Sequence, residues 1–266
     1  MEKDRERKRQ EILQRIKGMR LMDDEFMTKC FEDNVECTEL VLRIIMDKDD
    51  LIVKSARTQY TLKNLQGRSV RLDIFADDSF NRKYNIEVQK SKKGAGFKRA
   101  RYNSSLMDAK PGDDVELLPE NYVIFITESD LFGMGLPVYH IDRVVEETGV
   151  PFGDASHILY VNGAYCGDDP LGKLMHDFCC TDADDMNYGK LSAKVRYFKT
   201  TEEGVKAMSE AMEELAKKWA EEEIQEEREA VVFRMLETGE TDLEKIAKVS
   251  KLSVEVVERL AKLQPV

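Results

Sequence analysis

Two neighbouring segments of alternating polar and apolar residues constrain the fold of this chain most strongly. Residues 69–76 read SVRLDIFA and residues 83–90 read KYNIEVQK, and the short connection DDSFNR separates them. Alternation with a period of two is typical of β-strands, and two such runs joined by a turn predict an antiparallel hairpin. The first strand places Asp73 on its polar face, and the second places Glu87 and Gln89 on the corresponding face.

The register of this hairpin decides whether the polar residues meet. If the turn is centred near Phe80, residues whose numbers sum to about 160 face each other. Asp73 then lies opposite Glu87, and Arg71 lies opposite Gln89. Two carboxylates directly opposed across a sheet repel each other, and a divalent cation would remove that repulsion. The same pattern is also that of a solvated sheet face, so a metal site and a purely structural role both stay open.

A cation at this position would have further ligands and helpers nearby. The backbone carbonyl of Val88 lies between the polar side chains of Glu87 and Gln89 and is a candidate third ligand of Mg²⁺ or Mn²⁺. Gln89 is a neutral amide, which can position an attacking water but not deprotonate it. Glu39, in the first predicted helix of the core, is the preferred carboxylate to complete the catalytic set.

The segments around the hairpin predict an α/β fold. A helix is expected at about 36–46 and a strand at 52–62, and a helix at 97–109 follows the hairpin. The continuous apolar run NYVIFIT (121–127) is typical of a buried central strand. The remaining expected elements are strands at 137–141 and 157–161, a helix at 171–180, and one long acidic helix from 202 to about 237.

A compact pair of helices is expected after Gly239. Thr241 is the predicted N-cap of the first helix, with Glu244 completing a capping box, and Ser253 is the predicted N-cap of the second. The apolar spacing is similar to a helix-turn-helix, although Lys251 stands at the turn position where glycine is common. DNA binding and a packing or dimerising role remain alternatives for this pair, and the long acidic helix leaves room for a homodimer.

Charge and cysteine content narrow the class of protein. The net charge of −11 argues against a protein that coats nucleic acid without specificity, yet residues 82–101 hold eight basic residues against the single acid Glu87. No apolar run approaches about eighteen residues and the first twenty residues are charged throughout, so we expect neither a membrane span nor a signal peptide, and a cytoplasmic location. The five cysteines lack C-x-x-C spacing, which favours reduced thiols over a zinc site.

The order of elements and the D…E-x-Q pattern resemble the PD-(D/E)XK nuclease superfamily, and more closely the bacterial recombination-promoting nucleases, a transposase-related family. The resemblance covers about residues 22–200, including GRSVRLDIFADD (67–78), YNIEVQ (84–89), KRARYNSSLMDA (98–109) and LPENYVIFITESDLFG (118–133). It implies a restriction-endonuclease-like core: a helix, a three-stranded meander, a helix and a strand, in a mixed central sheet flanked by helices. We expect a polar helix or arm at 1–21, the nuclease-like domain at 22–200, and a C-terminal helical extension at 201–266.

The resemblance also implies an activity, namely metal-dependent endonucleolytic hydrolysis of DNA phosphodiester bonds in recombination or transposition, with RNA not excluded as a partner. Asp73 and Glu87 would be the metal ligands, Gln89 stands where the superfamily has lysine, and Arg99 and Tyr102 would contact phosphate. The basic cluster after the E-x-Q predicts the nucleic-acid contacts, which are Lys90, Lys92, Lys93, Lys98, Arg99, Arg101 and Tyr102. Two alternatives remain: a nucleic-acid or protein interaction module that has lost turnover, and an adaptor that recruits a partner through its acidic helix.

Overall fold

The computed structural model describes residues 2–62, 69–91, 93–108 and 114–262, so that Lys92 alone among the predicted site residues lies outside it. In chain order the elements are α1 (Glu2–Gly18), α2 (Asp24–Phe31), α3 (Val35–Met46), β1 (Val53–Leu62), β2 (Val70–Asp78), β3 (Lys83–Gln89), α4 (Phe97–Asp108), a 3-10 turn (Val115–Leu117), β4 (Asn121–Thr127), β5 (Val138–Ile141), β6 (Ser156–Asn162), α5 (Pro170–Cys179), α6 (Gly189–Thr200), α7 (Glu202–Glu237), α8 (Leu243–Ser250) and α9 (Val254–Ala261).

A mixed six-stranded sheet in the order β1-β2-β3-β4-β6-β5 organises the first part of the chain. Strands β1, β2 and β3 form an antiparallel meander, β3, β4 and β6 run parallel, and β5 lies antiparallel to β6 at the edge. In the hairpin Ile74 pairs with Ile86 and Phe75 pairs with Asn85, which confirms the predicted register. The α/β class is also confirmed, and the predicted order of helix, meander, helix and strand is present as α3, β1–β3, α4 and β4.

Helices cover both faces of the central strands, and this explains why both faces of the predicted hairpin are buried. Because β3 and β4 are parallel, the chain must cross over between them, and α4 is the crossover helix. Ala100 and Met107 of α4 belong to one apolar cluster with Val123 and Phe125 of β4. The polar side chains on this face of the sheet are therefore enclosed rather than solvated.

One of the two predicted N-caps in the C-terminal helix pair differs in the structure. The N-cap of α8 is Asp242, whose side chain accepts a hydrogen bond from the backbone N–H of Lys245 at 3.1 Å, so the choice of Thr241 is wrong by one residue. Aspartate caps a helix at least as well as threonine, and local propensity could not separate the two neighbours. Ser253 is confirmed as the cap of α9, and Lys251 adopts the left-handed conformation, with φ of 59°, that makes glycine common at such turns.

The chain divides into two compact units, residues 1–209 and residues 210–266, with the division inside α7. The second unit has an apolar core of its own, formed by Val232, Ile246, Ala247, Val257 and Leu260. None of the helices in the described ranges is both long enough and apolar enough to cross a membrane. All five cysteines are free thiols.

A buried ammonium group joins three segments of the first unit. Lys199 of α6 donates to the backbone carbonyls of Lys17 at 2.9 Å, Thr181 at 2.6 Å, and Met19. Its ammonium also lies over the ring of Phe26, 5.2 Å from the centroid. Burial lowers the pKa of Lys199, and the three carbonyls satisfy the donors that burial removes from water.

Replacing Lys199 by Met should lower the free energy of unfolding by about 2–4 kcal/mol, because three backbone carbonyls lose the ammonium that binds them together. On the same helix, Lys190→Met removes only a solvent-facing pair with Glu36, at 3.6 Å, and should cost less than about 1 kcal/mol. Chemical denaturation followed by circular dichroism measures both. Equal stability of the two variants would contradict a structural role for the buried ammonium.

Candidate metal and phosphate site

Two buried carboxylates, Asp73 and Glu87, lie at the end of the paired region between β2 and β3. The residue pairs of these strands run from Asp77–Lys83 to Ile74–Ile86, and Asp73 and Glu87 are the next residues along each strand. There the Asp73 carboxylate accepts a hydrogen bond from the backbone N–H of Val88, with an Oδ2···N distance of 3.2 Å. Asp73 is 8% exposed and Glu87 is 0% exposed. The site therefore holds two carboxylates that water barely solvates.

Burial and mutual repulsion oppose the charged form of this pair. Burial raises the pKa of Asp73 well above its ordinary range, and the adjacent Glu87 charge raises it further. Burial also raises the pKa of Glu87, although Arg99 partly offsets that effect. Carboxyl groups in this situation take up either a proton or a cation. The pair is thus electrostatically suited to positive charge.

Helix α4 supplies the two side chains that hold Glu87. Arg99 Nη2 donates to Glu87 Oε2 at 2.6 Å, and Asn103 Nδ2 lies 3.4 Å from Glu87 Oε1. These residues are four apart, so they lie on one face of the helix. The side chain of Arg99 is 41% exposed while that of Glu87 is 0% exposed. The Arg99 guanidinium therefore extends from the buried Glu87 carboxylate to the protein surface, where it would be accessible to a phosphate.

The interior behind Glu87 is polar. Asn85 and Asn103 are both 0% exposed. The Asn85 side chain interacts with Glu87 and lowers the pKa of that carboxyl, and within the described residues Asn103 Oδ1 has no hydrogen-bond partner. A buried polar atom without a partner costs on the order of 1–3 kcal/mol in a folded protein. Polar groups retained at that cost beside the carboxylate favour a functional rather than a packing role for this part of the core.

Gln89, the last residue of β3, lies against the backbone of Gly94. A Cβ atom added to Gly94 would stand 1.9 Å from Gln89 Oε1. Gly94 therefore provides the space that the Gln89 amide occupies. The sequence pattern does not predict this close approach.

The backbone of Val88 faces Asp73. The carbonyl of Gln89 accepts from Glu128 N–H at 3.1 Å, on the β4 side. Successive residues of a strand direct their backbone groups to opposite sides, so both the N–H and the carbonyl of Val88 point toward β2. The carbonyl predicted as a ligand is consequently on the same side of β3 as the Asp73 carboxylate.

The structure does not place Glu39 near Asp73 and Glu87, so the prediction that Glu39 completes the catalytic set is wrong. Its carboxylate accepts from Val53 N–H at 3.0 Å and pairs with Arg43 at 2.9 Å, which joins α3 to the start of β1. Glu39 is therefore held near Val53, which pairs with Asp78 of β2. Asp78 is five residues from Asp73 along the strand, a separation of roughly 16 Å in an extended chain. The helix pattern shows which face is apolar but not which end of the sheet the helix covers.

Asp24, at the start of α2, is the carboxylate that the sequence interpretation missed. After burial, its negative charge contributes to the raised pKa of both Asp73 and Glu87. Its Oδ1 accepts from Gln59 Nε2 at 3.3 Å, and Gln59 stands opposite Asp73 in the register of β1 and β2 with a φ of 50°. An acidic pair at the beginning of a short helix is typical of an ordinary helix start, so no pattern distinguishes Asp24 as a site residue.

The predicted phosphate contacts fall into two groups. Lys90 forms an ion pair with Asp23, just before α2, and so balances the acidic start of that helix. The exposed members of the predicted set are Lys93, Lys98, Arg99 and Arg101. Tyr102 of α4 is half-buried. Lys92 lies outside the described residues. The cations available to a phosphate thus cluster at the loop before α4 and on its first turns.

The donor chemistry fits a hard divalent cation with few protein ligands. Among the described residues, no group of three or more His, Cys, Asp or Glu side chains is placed to hold a metal ion. Asp73, Glu87 and the Val88 carbonyl offer oxygen donors only, and Mg²⁺ is commonly held by one or two carboxylates while water and phosphate oxygens complete its shell. Such a cation would also relieve the repulsion that raises the two pKa values.

Without metal, Asp73→Asn should raise the free energy of unfolding at neutral pH by on the order of 1 kcal/mol, because the amide still accepts from Val88 but carries no charge. A carboxyl group whose pKa is raised by folding favours the folded state below its ordinary pKa, and that contribution is lost as the pH rises through the raised value. The gain should therefore shrink as the pH falls toward about 4. Denaturation in chelator across this pH range measures it.

Added Mg²⁺ or Ca²⁺ should stabilise the wild type more than Asp73→Asn, since the cation binds the folded carboxylate pair. Glu39→Gln is the matched control, and it should keep the full response to the cation. A variant less stable than wild type in chelator, or a cation response independent of Asp73, would contradict this description of the site.

Known proteins offer no match to this chain, since no family model, no curated protein and no solved structure is similar to it at a significant level. The resemblance to nucleases consequently depends on the motifs in the sequence, and any function must be argued from the chemistry of the site.

Proposed function

We propose that this protein is a metal-dependent nuclease that hydrolyses phosphodiester bonds in DNA. One observation carries the proposal: Asp73 and Glu87 are enclosed side by side, with raised pKa values, beneath a half-exposed arginine. Raised carboxyl pKa values, an interior charge cluster and an adjacent basic surface together are typical of an active site rather than of a solvated sheet.

Each residue of the site has a part in this proposal. Asp73 and Glu87 would hold the cation, and the Val88 carbonyl would add a neutral oxygen donor. Such a cation would supply Lewis-acid polarisation of the phosphate. Arg99, which pairs with Glu87 at 2.6 Å, could then release that carboxylate and donate to a phosphate oxygen.

Gln89 has a positioning role in the same scheme. Its amide lies against Gly94 and can hold a water by hydrogen bonds, but it has no basic group with which to deprotonate that water. The proton must therefore leave to solvent or to a phosphate oxygen. We expect slower cleavage than a lysine at this position would give.

The arrangement of the fold supports a restriction-endonuclease-like core. The carboxylates lie on the second and third strands of an antiparallel meander, and the helix that follows crosses over to a buried parallel strand. This order agrees with the one that the sequence resemblance implies. A role in recombination or transposition follows from that resemblance alone.

A binding module without turnover is the second candidate, and two observations favour it. Gln89 stands at the position of the superfamily lysine, and Arg99 holds Glu87 in an ion pair at 2.6 Å that a cation would have to displace. In this case the exposed cations of α4 would retain nucleic acid, while the carboxylate pair would serve only to orient Arg99.

Nicking of supercoiled plasmid with Mg²⁺ or Mn²⁺ separates the two candidates. The nuclease proposal predicts metal-dependent nicking that falls at least about a hundredfold in Asp73→Asn and in Glu87→Gln, since the cation loses a charged ligand. Glu39→Gln, which alters a carboxylate outside the site, should nick like wild type. Retention of DNA without nicking under either metal would favour the binding module, and nicking unchanged in Asp73→Asn would contradict the proposal.

Gly94→Ala tests the role of Gln89 without changing any polar group. The new Cβ would displace the Gln89 amide, so the cleavage rate should fall about tenfold or more while DNA affinity stays unchanged. Gly96→Ala is the matched control, because its Cβ would meet only the Lys93 carbonyl, at 3.7 Å. Equal cleavage by the two alanine variants would show that the position of Gln89 does not matter.

A further inference from the structure

An exposed aromatic ring stands at the start of α4, next to the proposed site. Phe97 is 62% exposed and stacks nearly parallel on Phe132, with ring centroids 5.8 Å apart at 18°. The ring of Tyr160 meets Phe97 edge-on, with a centroid distance of 5.9 Å at 88°. These three residues are called the aromatic platform below.

The platform is held in place from beneath. Tyr160 lies in β6, is 1% exposed, and donates its hydroxyl to the carbonyl of Ala95 at 3.0 Å, which fixes the loop that leads into α4. The ring of Phe132 also packs on Tyr139, with centroids 4.6 Å apart, and its backbone N–H is bound by Asp130 at 3.0 Å. The exposed ring of Phe97 is therefore presented by a fixed support.

Basic residues lie close to Phe97 in the chain. Phe97 is two residues from Arg99, which reaches Glu87, and both residues lie in the first turn of α4. Lys93 and Lys98 flank Phe97 in the chain, are exposed, and form no ion pair within the described residues. The segment that carries the exposed ring thus also carries exposed positive charge, a combination that complements a nucleobase bordered by phosphates.

The base that such a surface binds must have a free face. In a continuous duplex each base is stacked on its neighbours, and only its edges are open to a protein. An unpaired base can leave the stack and place its face on an aromatic side chain, as in proteins that bind single strands. An aromatic surface of this kind is therefore suited to single strands rather than to a continuous duplex.

We propose that the aromatic platform stacks an unpaired base beside the phosphate that is cleaved, so that the substrate class is single-stranded nucleic acid. This inference depends on the proposed nuclease function and specifies its substrate. The stacked base fixes the strand by its apolar face, while Lys93 and Lys98 bind the phosphates on either side and Arg99 binds the phosphate at the site.

The test compares Phe97→Ala with Phe80→Ala in the full chain. Phe80 is equally an exposed phenylalanine, 71% exposed, but it lies in the turn between β2 and β3, at the far end of those strands from Asp73. Cleavage rates are measured on a single-stranded oligonucleotide and on the same sequence as a duplex. We expect Phe97→Ala to lose about tenfold on the single strand and less than twofold on the duplex, Phe97→Trp to retain the wild-type preference, and Phe80→Ala to change neither rate.

Binding is tested apart from cleavage, so that failure of the function and failure of the inference can be told apart. An oligonucleotide carrying 2-aminopurine is titrated onto Asp73→Asn, with and without Phe97→Ala. Stacking predicts quenching of the fluorescence that disappears with Phe97→Ala but persists with Phe80→Ala. Quenching without any cleavage by wild type would support the platform and reject the nuclease. Cleavage with no quenching, or with equal losses on both substrates, would overturn the inference.

Discussion

The repulsion between two enclosed carboxylates is the constraint on which the rest of this site depends. Asp73 and Glu87 lie on neighbouring strands of the β2–β3 hairpin and both are buried, and the crossover helix α4 contacts Glu87 through Arg99 and Asn103. This arrangement does not improve packing or strand pairing. A buried charge is costly unless an opposite charge or hydrogen-bond donors neutralise it. The surrounding structure supplies that match in part, through Val88 N–H and Arg99, and the cation that we propose would supply the rest.

Helix α4 links the buried pair to the surface. One of its faces reaches inward through Arg99 and Asn103 to Glu87, while its exposed N-terminal turn carries Phe97 and Lys98. The parallel pairing of β3 and β4 requires a crossover at this position, so the topology itself places basic and aromatic side chains beside the carboxylates. Because Arg99 binds Glu87, a change in the charge of the Asp73–Glu87 pair would also affect the side chain that we expect to contact a phosphate.

The sequence predicted the parts of the fold that depend on local pattern. Alternation and turn position were sufficient for the register that opposes Asp73 and Glu87, and the apolar run 121–127 was sufficient for the buried strand. Contacts between distant segments could not be predicted in this way. Glu39 was placed at the site and Asp24 was missed, because helix periodicity does not reveal which end of the sheet a helix covers. The dependence of Gln89 on Gly94 was missed for a similar reason, since a close approach of side chain and backbone leaves no periodic signal.

Location of the cation tests the central claim most directly. Crystals grown with Mn²⁺ give an anomalous signal that identifies the metal without reference to activity. The account predicts one peak within coordination distance of a carboxylate oxygen of both Asp73 and Glu87, with the Arg99 guanidinium turned away from Glu87. At saturating Mn²⁺, the absence of a peak between these carboxylates, with Arg99 still bound to Glu87, would contradict it.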